Sequence, residues 1–116
     1  MIEVHPSALA RLVRALAVLA LPYEDQQAWL RSLGLGEPRI CDELAMELAD
    51  GALLSAQFVE AEWIGPDTRN LILELRGLAD IDRYDFDDEF WRLESLRTSP
   101  EWERIRKVAL AAILTI

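Results

Sequence analysis

Residues 98–116 read TSPEWERIRKVALAAILTI, and this stretch decides the fold class. Thr98-Ser99-Pro100-Glu101 carries two helix-start patterns one residue apart. Thr98 with Glu101 makes a capping box, and Ser99 with Pro100 puts proline at the first helical position. Trp102, Ile105, Ala109, Ala112, Ile113 and Ile116 then recur at three- and four-residue steps, so they lie on one apolar stripe. The same spacing appears upstream. Leu9, Leu12, Val13, Leu16, Leu19 and Ala20 predict a helix from Ser7, a candidate cap, to Ala20, stopped by Pro22. Tyr23 to Leu33 reads as a shorter helix with Glu24 and Asp25 in its first turn and Trp29, Leu30 and Leu33 on its apolar side. It is stopped at Gly34 in the loop that runs to Pro38.

Asp42 reads as the cap of a third helix carrying Leu44, Leu48, Ala52, Ser55 and Val59, with Leu54 and Phe58 beside them. Asp50-Gly51 is expected to kink or split it, since glycine costs about 1 kcal/mol in a helix interior. Gly65-Pro66-Asp67 is a break. Asp67 or Thr68 then caps a fourth helix with Leu71, Leu75, Leu78 and Ile81 or Asp82 on one face. Asp82 to Glu89 is too acidic for regular structure, although Phe86, Phe90 and Leu93 resume helical spacing. No strand pattern competes: β-branched runs are absent, and Asp50-Gly51 sits between helical patterns. There is no repeat, low-complexity tract or linker. The expected fold is all-α, a compact single domain over residues 1–116 with five or six helices.

The chain has 116 residues, 21 acids and 12 bases, for a net charge of −9. The charge is uneven. Residues 1–39 carry four acids and four bases, residues 40–94 fifteen acids and four bases, and residues 95–116 two acids and four bases. The excess therefore lies in the middle, and a localised source is what steers a partner. Such a charge opposes direct binding to nucleic acid or an anionic membrane. One cysteine, Cys41, excludes an internal disulfide and fits a reducing, cytoplasmic setting. The apolar run 15–21 follows Arg11 and Arg14 as in a signal peptide. However, Glu3 occupies the would-be basic region and no small-residue cleavage site follows. No apolar run approaches the ~20 residues that span a bilayer.

Chemical signatures are sparse. From Asp80, a calcium loop would need glycine at its sixth position and glutamate at its twelfth, but these are Asp85 and Trp91. Glu43, Glu47 and Asp50 share a helix face with Asp42 nearby. His5 is the only histidine and no glutamate stands three residues before it, so a carboxylate-bridged metal centre lacks its nitrogen ligands. These acids read as a hydrated face. Cys41 precedes a helix but has no histidine near it in sequence, so it does not read as a nucleophile. There is no phosphate-binding glycine loop and no nucleophile elbow. No catalytic residue, cofactor or metal is expected. Trp29 and Trp102 fit core stripes, whereas Trp63 and Trp91 flank breaks and read as partly exposed anchors.

At Asp42-Glu43-Leu44-Ala45-Met46-Glu47, and at Ser99-Pro100-Glu101-Trp102-Glu103-Arg104-Ile105-Arg106, the chain resembles a set of small bacterial helical proteins. These pair an Asp-Glu-Leu-Ala-x-Glu helix start with a C-terminal Glu-Trp-x-x-apolar-Arg helix. Tyr23 to Leu33 resembles the segment that precedes the first motif, so the likeness spans roughly residues 23–116. Some members resemble immunity or accessory proteins beside secreted toxins. The chain departs from them at Phe86 to Phe90, where acids replace a more neutral glycine-containing loop, and no functional residue carries over.

The functional expectation is a non-enzymatic acidic binding protein, most concretely an immunity-type inhibitor of a basic toxin or nuclease. Asp80, Asp82, Asp85, Asp87, Asp88 and Glu89 would meet the partner, with Trp91 as apolar anchor. The alternative is a structural or regulatory module that homodimerises through the stripes Leu9–Ala20 and Trp102–Ile116.

Overall fold

The computed structural model describes residues 4–34, 42–80 and 88–116, apart from the side chain of Leu44. The described residues form six helices: α1 Pro6–Ala20, α2 Tyr23–Ser32, α3 Asp42–Glu60, α4 Pro66–Leu78, α5 Ser95–Thr98 and α6 Pro100–Leu114, with a 3-10 turn at Glu89–Trp91. The architecture is all-α, as the periodicities predict. The loop 35–38, Cys41, Ile81, Asp82, Asp85, Phe86 and Asp87 lie outside the described residues.

Four helices make the bundle, in the cyclic order α1, α3, α4, α6. Each neighbouring pair is antiparallel. Arg14 pairs with Glu47 while Leu12 abuts Gly51, which sets α1 against α3. A five-residue turn joins α3 to α4, where Arg69 Nε donates to Ser55 Oγ at 3.4 Å. Arg104 to Glu74 at 3.0 Å and Thr68 to Thr115 at 2.7 Å fix α4 against α6. The C-terminus of α1 and the N-termini of α3 and α6 therefore share one end. There α2, the 3-10 turn and α5 form a cap, giving a molecule of 42 × 24 × 24 Å.

The core is built from the stripes. Leu12, Leu16, Leu19, Leu48, Phe58, Ile72, Leu75, Trp102, Ile105, Ala109 and Ala112 are buried together. The stripes of α1 and α6 pack on each other. The homodimer alternative assigned those same stripes to a second copy, but within one chain they are consumed by its own core. Ile116 falls off the end of its stripe and is exposed.

Several local readings are corrected. His5, not Ser7, occupies the position before α1, and no side chain caps that helix. Asp42 lies in the first turn of α3. Gly51 does not split α3, which runs unbroken from Asp42 to Glu60. A Cβ there would lie 2.6 Å from Leu12 Cδ1, so glycine is what lets α1 approach so closely. Neither Asp67 nor Thr68 caps α4. Gly65 precedes it, Pro66 opens it, and Thr68 is buried on Thr115. At α6 the Ser99–Pro100 reading holds: Ser99 Oγ accepts from Trp102 N and donates to Glu101 Oε2 at 2.8 Å.

The cap is fastened by buried polar groups. Gln26 Nε2 donates to the carbonyls of Val18 and Leu19 at 3.2 and 2.9 Å; Val18 O also accepts from Leu21 N, so the amide adds a second bond there and serves Leu19 O at the end of α1. Gln26 Oε1 accepts from Arg106, which also donates to Leu96 O at 2.7 Å. Burial pushes the Arg106 guanidinium below its usual range, opposed by the nearby Glu103 carboxylate. Trp102 Nε1 donates to Phe90 O at 2.8 Å, and the two rings stack with centroids 4.7 Å apart.

Candidate functional site

The acidic middle of the sequence becomes a side of the molecule. From Asp42 to Leu78, the hairpin of α3 and α4 carries eight acids and two bases. On the other side α1 carries two arginines and no acid, and α6 carries three bases and two acids. Acid and base thus occupy opposite halves of the bundle, because chain neighbours α3 and α4 are also spatial neighbours.

Of the acids singled out in the run from Asp80 to Glu89, the described ones are Asp80, Asp88 and Glu89. All three lie at the capped end. Asp80 follows α4, while Asp88 caps the 3-10 turn by accepting from Phe90 N at 2.9 Å. Asp88 and Glu89 border a cleft of about 310 Å³ shared with Phe90, Ser95, Thr98 and Glu101. Among the described residues its lining holds three carboxylates and no base. The sequence signal missed Glu101, which stands twelve residues beyond Glu89 and enters the cleft only because the turn folds back on the start of α6.

Trp91 is corrected. It is 2% exposed, edge-on to Phe90 at 4.9 Å, and cannot act as a surface anchor without leaving the core. The most exposed indole is Trp63, 37% exposed, at the turn between α3 and α4, with Glu60, Glu62 and Asp67 near it in sequence. Its seat follows from the helix end. Trp63 N donates to Phe58 O at 2.9 Å and Glu62 N to Val59 O at 3.0 Å, a Schellman closure. The Trp63 ring packs on Phe58 at 6.1 Å, which is the apolar contact such closures carry.

In the second acidic group, Glu47 pairs with Arg14, and Glu47 and Asp50 together border a groove of about 290 Å³ with Arg11, Leu12, Gly51 and Leu54. Among the described residues no group of three or more His, Cys, Asp or Glu is arranged to hold a metal. No described helix is long and apolar enough to cross a membrane.

A different cleft lies on the other side of α5. Gln27, Arg31, Arg92, Leu93, Glu94 and Arg97 line about 370 Å³. Glu94 hydrogen-bonds Arg97 and holds that guanidinium still more firmly in its charged form. The capped end therefore presents two clefts of opposite sign with α5 between them. Compared with protein-family models, curated proteins and solved structures, the chain matches none.

Proposed function

We propose that the chain is a non-enzymatic binding protein for a basic protein partner, most concretely an immunity-type inhibitor that neutralises a basic bacterial toxin or nuclease. The observation that supports this reading is the cleft of Asp88, Glu89 and Glu101, whose described lining has no base. Such a cleft suits the head of an arginine or lysine, because a carboxylate pairs with a guanidinium through two parallel hydrogen bonds. The acids of α3 and α4 extend the negative field and would speed encounter with a cationic surface. Trp63, with Glu60 and Glu62 near it in sequence, takes the anchoring role first given to Trp91.

The test begins at the neighbouring gene, which this reading expects to encode a secreted toxin. Coexpression is expected to abolish its toxicity, and the purified pair is expected to associate at a rate that falls steeply with salt. The variant Asp88→Asn, Glu89→Gln, Glu101→Gln keeps the acceptors that close the turn and helix. It is expected to slow association roughly tenfold, flatten the salt slope and leave helicity unchanged. A non-toxic neighbour, or unchanged affinity and salt slope in the variant, overturns the reading.

A further inference from the structure

Within a protein of net charge −9, three arginines border one cleft. Arg31 lies in the last turn of α2, Arg92 follows the 3-10 segment, and Arg97 belongs to α5. The walls are tied together: Gln27 Nε2 donates to Leu93 O at 3.3 Å, which fixes α2 to the turn carrying Arg92. Local structure accounts for part of this charge. The negative end of the α2 dipole favours Arg31 in its last turn, and Glu94 pairs with Arg97. Arg92 has no ion-pair partner among the described residues. Among the described residues, three guanidiniums against one carboxylate leave an excess of two positive charges. Like charges that line one cleft repel one another, and an external counter-charge relieves that repulsion.

We infer that this cleft, formed by Arg31, Arg92 and Arg97, binds the dianion of phosphate or of a phosphate monoester. Charge sets the valence, since an excess of two matches a dianion better than a single carboxylate. Shape sets the class, since the planar guanidinium fork pairs with phosphate oxygens two at a time. The acids of α3 and α4 do not forbid it. The segments α2 and α5 pack chiefly on α1 and α6, the half of the bundle with the surplus of bases. Beyond about 8 Å at physiological salt, exposed charges are largely screened.

The experiment follows backbone and arginine side-chain NMR signals of the whole chain during titration. The ligands are inorganic phosphate and a phosphoserine-containing tripeptide, with chloride at matched ionic strength as control. Saturable shifts confined to Gln27, Arg31, Arg92, Leu93 and Arg97 are expected, with a dissociation constant on the order of 1 mM. Arg92→Gln or Arg31→Gln is expected to weaken binding about tenfold with the melting temperature unchanged, whereas Arg11→Gln, outside the cleft, leaves it intact. Tighter binding of the tripeptide assigns a protein-borne phosphate, and equal binding a free one. Linear, unsaturating shifts overturn the inference, as do shifts spread equally over Arg11, Arg14, Arg69 and Arg76. It is also overturned if Arg11→Gln is as damaging as Arg92→Gln.

Discussion

At the scale of single residues, two backbone positions concentrate the information. Glu62 sits at φ 63°, the left-handed region, where a Cβ costs about 1 kcal/mol or more and glycine costs nothing. Glu62→Gly is therefore expected to raise the stability by about 0.5–1 kcal/mol, read as a higher midpoint in urea at unchanged slope. Gly34, at φ 69°, is the position where the same role was legible, because a glycine after a helical pattern announces a stop. Glu62 announces nothing of the kind, since glutamate is an ordinary helix former. Gly51 runs the opposite way. Its cost to a lone helix is visible in the sequence, but its neighbour Leu12 is not. Gly51→Ala improves helix propensity yet drives a methyl into Leu12, so a net loss of about 1–3 kcal/mol is expected by thermal melting. A gain would mean that α1 and α3 separate freely at that point.

At the scale of elements, the long helices were readable and the cap was not. The elements α1, α2, α3, α4 and α6 each span ten or more residues, enough for the 3.6-residue period to repeat and for proline and serine to mark ends. The 3-10 turn and α5 span three and four residues, too few for any period. They exist because tertiary bonds hold them: Trp102 Nε1 and Ser95 Oγ both donate to Phe90 O. Gln26 is the matching tie on α2. Gln26→Leu is expected to lower stability by about 1–3 kcal/mol, since it takes the side-chain donor from Leu19 O and removes a partner of Arg106, while Val18 O keeps its bond from Leu21 N. Urea denaturation would measure the loss. A change within about 0.5 kcal/mol would show that water replaces the amide and that the cap is held mainly by its rings.

At the scale of the whole molecule, charge separation is the dominant feature. The α3–α4 hairpin is acidic, the α1–α6 half is basic, and the cap repeats that division across α5. Surface ion pairs such as Arg104–Glu74 and Lys107–Glu103 contribute at most about 1 kcal/mol each to stability, so this arrangement matters more for encounter than for folding. For a cationic partner the field would act on the association rate, and salt would erase that advantage before it touched the off-rate. The monopole read from the sequence thus becomes a dipole in space. Helix positions, the all-α class and the identity of most core residues were determined by the sequence alone, because periodicity and capping are local properties of a chain. Which acid joins which cleft, which tryptophan reaches solvent, and the gathering of three arginines around one opening were decided only by tertiary structure. Those facts depend on residues far apart in sequence being packed side by side, and no local pattern encodes that distance.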